Sequence, residues 1–133
     1  MRKFLPLLFL ILSFKLNAQA PQKLSASAIY EKIEKLNFLG SVLYLAAHPD
    51  DENTRLISYF SNEKHARTAY LSLTRGDGGQ NLIGPEIREQ LGLIRTQELL
   101  AARKIDGGEQ FFSRANDFGY SKNPEETLKT WNK

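Results

Sequence analysis

Val42-Leu43-Tyr44-Leu45-Ala46-Ala47-His48-Pro49-Asp50-Asp51-Glu52 passes within one short stretch from an unbroken apolar run to a histidine, a proline and three acids. An apolar run of this length that stops at polar residues reads as a buried strand, and the near-absence of alternation predicts one covered on both faces. The segment from Glu52 to Phe60 has Leu56, Ile57 and Phe60 on one side, so the strand empties through a tight turn into a helix. Open α/β sheets keep their ligands at the carboxyl ends of such strands. Imidazole nitrogen and carboxylate oxygen together suit Zn²⁺, and His48 and Asp51, three apart around a turn stiffened by Pro49, can converge on one ion. Asp50 between them then points elsewhere, where a carboxylate beside metal-bound water acts as a general base. The same residues also fit a plain helix start, with Asp51 and Glu52 favoured near its N-terminus and His48 an ordinary loop residue.

Working outward, residues 68–73 (Thr-Ala-Tyr-Leu-Ser-Leu) form a second apolar segment. Strand, helix and strand at this spacing make one βαβ unit, which predicts two parallel strands whose carboxyl ends share a crevice. The loop Thr74-Arg75-Gly76-Asp77-Gly78-Gly79-Gln80-Asn81 therefore comes beside the His48 turn. Its glycines allow close backbone approach, but it lacks the Lys-Ser or Lys-Thr of a phosphate-cradling loop. The acids after the first strand would repel a pyrophosphate, which argues against a nucleotide-binding α/β domain.

Gly84-Pro85 is read as opening the longest helix, with Ile87, Leu91, Ile94, Leu99 and Leu100 as its apolar stripe and Gly107-Gly108 as its end. Arg95 and Glu98 share a face, as a surface ion pair would. A third short strand is predicted at 109–112, then a loop at 113–122 containing Asp117, a further candidate for the site. Asn123-Pro124-Glu125-Glu126 marks another helix start.

Three ordered signatures, His48 to Glu52, Thr74 to Asp77, and Arg95 with Glu98 and Ala102, resemble those of the PIG-L (LmbE-like) deacetylases. The resemblance covers roughly 41–131. It implies a Rossmann-like three-layer α/β sandwich with a parallel sheet, and a zinc hydrolase that removes acetyl groups from N-acetylglucosamine-type sugars. By position it makes His48 and Asp51 zinc ligands, Asp50 the base, and Arg95 and Asp77 substrate-binding. Two departures stand out: Asp77 occupies a position usually held by Glu, and no Gly-Gly pair follows the first signature. The resemblance also implies that the third zinc ligand is a His from a segment beyond Lys133, so that 41–133 reads as the N-terminal part of a deacetylase domain, truncated at its C-terminus. With two ligands, these residues alone are expected to hold zinc weakly and to turn over poorly. His65, among Glu63, Lys64 and Arg67, reads as part of a solvated face. A non-catalytic carbohydrate-binding protein on the same fold is the alternative from another class.

Residues 1–20 read as a secretory signal peptide: Met1-Arg2-Lys3 is a positive start, residues 4–14 are almost wholly apolar, and Ala18 and Ala20 offer cleavage sites. The protein is therefore expected to be exported, to the periplasm or beyond, with no membrane attachment after cleavage. Residues 21–40 are linker and an amphipathic helix, in which Ile29, Ile33 and Leu36 face one way, set against the edge of the sheet. Arg2, Lys3 and Lys15 carry the formal excess of 18 basic over 15 acidic residues, so the mature chain is neutral. A nucleic-acid partner loses its main support; a small-molecule or glycan substrate is expected. The chain contains no cysteine, which fits export without disulfides.

Overall fold

A computed structural model of the chain describes residues 23–131. The predicted leader at 1–20 lies outside the described residues. The described residues fall into two units that divide between Lys32 and Ile33. Helix α1 (Ala26–Lys35) starts after Ser25, whose hydroxyl accepts from the Ala28 amide at 3.2 Å, as an N-cap does.

The second unit is built on strands β1 (Ser41–Ala46), β2 (Arg67–Ser72) and β3 (Glu109–Phe112), which lie in the order β1-β2-β3. Both pairings are parallel, with Tyr44 opposite Tyr70, Ala46 opposite Ser72, and Ser72 opposite Phe112. Parallel strands need crossovers longer than a hairpin, and helices supply them here. Helix α2 (Thr54–Ser58) runs on into a π-helical turn (Tyr59–Glu63), and α3 (Glu89–Asp106) returns the chain to β3. The predicted α/β sheet, strand positions and parallel direction are all present.

The core lies between the sheet and these two helices. Ile57 of α2, Leu99 of α3 and Tyr70 of β2 are buried together, with Tyr44, Ala46 and Phe112 packed against them. Tyr44 meets Tyr70 edge-on at 5.9 Å between ring centres, a favoured aromatic geometry.

Three local expectations are revised. The first strand alternates between half-buried and exposed residues: Val42, Tyr44 and Ala46 face the helices, while Leu43 and Leu45 are exposed. Apolar composition cannot tell a strand covered on both faces from one covered on a single face. Helix α2 begins after Asn53, whose side-chain oxygen accepts from the Leu56 amide at 3.0 Å; Glu52 has been drawn inward instead. Helix α3 begins at Glu89 rather than near Pro85, because Arg88 takes φ 52° and ψ −128°, outside the helical region, leaving Ile87 in the preceding loop.

Helix α4 (Pro124–Thr130) has the predicted start: Asn123 Oδ1 accepts from the Glu126 amide at 3.2 Å, and Glu126 Oε2 accepts from the Lys122 amide at 2.9 Å. Trp131, just after it, donates from Nε1 to the Asn116 carbonyl at 2.8 Å and packs edge-on against Phe118. Those two contacts hold the 113–121 loop over the carboxyl ends of the strands.

Candidate functional site

Beyond the ladder, the β1 and β2 ends stay joined. The Leu73 amide donates to the Ala46 carbonyl at 2.9 Å, and the amide and hydroxyl of Thr74 each donate to the Ala47 carbonyl at 3.0 Å. The turn that follows is tied down on itself: the His48 amide donates to Asp51 Oδ2 at 2.9 Å. Pro49 is buried, and Asp50 is held at φ 86°, a conformation that a residue with a side chain seldom adopts. From below, the buried Tyr70 donates its hydroxyl to the His48 carbonyl. Burial, reinforced by the charges of Glu52, Asp51 and Asp50, pushes the Tyr70 phenol up to about 12. It therefore remains a donor throughout the physiological range.

This turn brings His48, Asp50 and Asp51 together. His48 Nδ1 is 3.3 Å from Asp51 Oδ2. Two donors to one tetrahedral ion, with bonds of about 2.0–2.1 Å, stand roughly 3.3–3.4 Å apart, so the spacing fits a shared zinc. Asp50 points away from that pair, toward α3, where its Oδ2 is 2.5 Å from Arg95 Nη2. Arg95 Nη1 donates to Glu98 Oε2 at 3.1 Å. Partial burial alone would lower the Arg95 pKa; the bonds to Glu98 and Asp50 outweigh it and raise it.

Asp117 completes the group. Its side chain is only 1% exposed, and Oδ1 lies 3.8 Å from His48 Nε2. Its Oδ2 lies 3.1 Å from Thr74 Oγ1, sharing the one hydroxyl proton with the Ala47 carbonyl, and its Oδ1 accepts from the Gly119 amide at 2.8 Å. His48, Asp50, Arg95, Asp117, Gly76 and Tyr120 line one open cavity of about 240 Å³. The glycine loop fits around it. Gly76 (φ 75°) would set a Cβ 3.2 Å from Pro49 and 3.3 Å from Arg95, and a Cβ on Gly78 would stand 2.6 Å from the Asp117 carbonyl carbon. The glycines thus let two loops and the His48 turn close on one another.

Asp77 is not brought to this cavity. It sits half-buried against Gly92 of α3 and lines an adjoining hollow with Ile87, Arg88 and Glu89, which shares Asp117 and Gly79 with the site cavity. His65 lies before β2, at the opposite end of that strand from the site. Two participants were not legible in the sequence, Tyr70 and Arg103. The latter reaches Glu52 from the far end of α3 at 3.1 Å.

A family model described as GlcNAc-PI de-N-acetylase, PIG-L, matches residues 43–132. The chain belongs to the PIG-L family. The matched span runs from β1 through α4, so the whole sheet-end constellation falls inside the PIG-L domain. The family's acetyl-removing activity is hydrolysis of an amide bond on a small sugar-like substrate. Among curated proteins, none matches the chain. Among the described residues, no helix is long and apolar enough to cross a membrane.

Proposed function

We propose that this PIG-L protein is an exported, zinc-dependent hydrolase that removes an N-acetyl group from an N-acetylglucosamine-type sugar or glycoconjugate. The observation that carries the reading is the division of labour on one turn: His48 and Asp51 stand together at 3.3 Å, while Asp50 is turned away onto Arg95. His48 and Asp51 would be two of the ligands that hold the zinc. When bound, the metal polarises the amide carbonyl and acidifies water. Asp50 takes up the water's proton at its carboxylate. Arg95 keeps that carboxylate aimed and presents N–H groups to sugar hydroxyls, in the cavity of about 240 Å³ that both residues line. Export is inferred from the positive start and apolar run of residues 1–20.

Zinc content and acetate release from N-acetylglucosamine derivatives test the reading on the natural gene product. The expected result is stoichiometric zinc and measurable acetate, with Asp50→Asn keeping the metal but losing about 10²–10⁴ in rate. Hydrolysis by Asp50→Asn at the wild-type rate would remove the base assignment. A protein that binds the sugar without releasing acetate would be a carbohydrate-binding member of the fold.

A further inference from the structure

Glu52 and Arg103 form an ion pair in the interior of the second unit: their side chains are 5% and 4% exposed, and Arg103 Nη2 stands 3.1 Å from Glu52 Oε1. Arg103 does not need Glu52 for neutrality. The same nitrogen is 2.7 Å from Asp106 Oδ2 on its own helix, whose side chain is 6% exposed. Its Nη1 donates to Gln110 Oε1 at 3.2 Å, and its guanidinium lies 5.4 Å from the centre of the Tyr70 ring. A second acid at an already paired cation is weak evidence of a stability role, because desolvating a charge offsets most of the attraction it gains.

What Glu52 does with its other oxygen is more informative. Oε2 accepts from the Asp50 amide at 3.0 Å. Asp50 is one of three described non-glycine residues with positive φ, and such a conformation persists only where its surroundings over-determine it. Two restraints act on it here, both traceable to α3. Arg95 grips its carboxylate, and Arg103, acting through Glu52, grips its amide.

We propose that Glu52 and Arg103 are positioning residues: Arg103 fixes the Glu52 carboxylate, which holds the Asp50 backbone in the conformation that turns the Asp50 side chain away from His48 and Asp51. This rests on the reading of Asp50 as the base. Glu52→Gln separates the two duties, since the amide has one acceptor oxygen and cannot serve both Arg103 and the Asp50 amide. Hydrogen exchange at the Asp50 amide, followed by NMR on the natural gene product, is expected to accelerate about tenfold or more in Glu52→Gln. With the sugar substrate, kcat is expected to fall about 10²-fold while KM and zinc content stay unchanged. In an Asp50→Asn background the same change adds no further loss, which a merely structural role would not predict. Should Glu52→Gln fail to fold, Glu52→Asp keeps the charge beside Arg103 but is too short to reach the Asp50 amide as well, and the same acceleration is expected. Unchanged Asp50 exchange, or a loss fully additive with Asp50→Asn, would overturn the proposal. A wild-type protein that releases no acetate would overturn the functional reading alone, and the exchange comparison would still decide this one.

Discussion

Arg95 Nη2 stands 2.5 Å from Asp50 Oδ2, joining the middle of α3 to the carboxylate that lies in sequence between His48 and Asp51. The pair is partly open to solvent, so its value is in aim rather than in stability. Arg95→Met is expected to lower kcat/KM about 10–100-fold, the range for charged hydrogen bonds, with zinc content unchanged. Arg95→Lys should recover only part of it, because a lysine cannot bond Asp50 and Glu98 with two separate nitrogens in a fixed fork. Steady-state kinetics of the two variants check this; wild-type rates for Arg95→Met would remove Arg95 from the site.

Tyr70 supports the turn from the core by donating to the His48 carbonyl. Tyr70→Phe preserves the ring packing against Tyr44 and removes only the donor. It should cost about 0.5–1.5 kcal/mol in denaturant unfolding and loosen the backbone from which His48 projects, lowering zinc affinity. Equal zinc affinity in both proteins would show that the turn holds without it.

The glycine loop makes a sharp internal comparison. A Cβ at Gly78 would meet the Asp117 and Gly119 backbone at 2.6 Å, whereas a Cβ at Gly79 would meet only the Gly76 carbonyl, at 3.4 Å. Gly78→Ala is expected to destabilise by about 1–3 kcal/mol through overpacking and to displace Asp117. Gly79→Ala should stay within roughly 0.5 kcal/mol of wild type. Thermal unfolding of the two separates them, and similar curves would contradict the close approach of the two loops.

At the other end of the sheet, Arg67 bonds Glu109 across β2 and β3 through Nε at 2.8 Å and Nη2 at 3.0 Å. The hydrogen bond from Arg67, together with its charge, holds the Glu109 carboxyl below the usual 4.5. Between its folded and unfolded pKa values, Glu109 binds fewer protons when folded, so its contribution to stability grows with pH there. That contribution is complete above about 4.5 and disappears as pH falls through the lowered folded value. The pair is exposed, so the effect is small and screened by salt. Glu109→Gln should be slightly less stable than wild type at neutral pH and low salt, with the gap closing on acidification. A gap that widened in acid would reverse the sign of the argument.

Much of this was legible from short stretches of chain. The strand–turn–helix around His48, the parallel β2, β3 at 109–112 and the Asn123 cap all depend on neighbours within a few residues, where apolar spacing and capping groups act directly. For the same reason His48, Asp50 and Asp51 could be singled out together: three positions on one stiff turn leave few ways to point. The start of α3 is not legible in the same way, because Pro85 satisfies a helix start locally, while the positive φ of Arg88, which delays it, has no signature in residue type.

What only the tertiary structure decided is which side chains meet across long separations. Asp50 and Arg95 are 45 residues apart, Glu52 and Arg103 are 51 apart, and Thr74 meets Asp117 from 43 away. Arg95 and Arg103 look equally solvent-seeking in the sequence. The rotation of α3 over the sheet sends one into the cavity beside Asp50 and buries the other under Tyr70 and Glu52. Asp77 and Asp117 illustrate the same limit in reverse. The sequence marked Asp77 more strongly, yet the packing of the 76–79 loop on α3 turns it aside, and the Trp131 and Phe118 contacts carry Asp117 to His48. By itself the sequence determined the local elements and the chemistry of one turn, because those are set by forces that act over a few residues. The company that turn keeps was decided by register and helix rotation, which follow from packing the whole core.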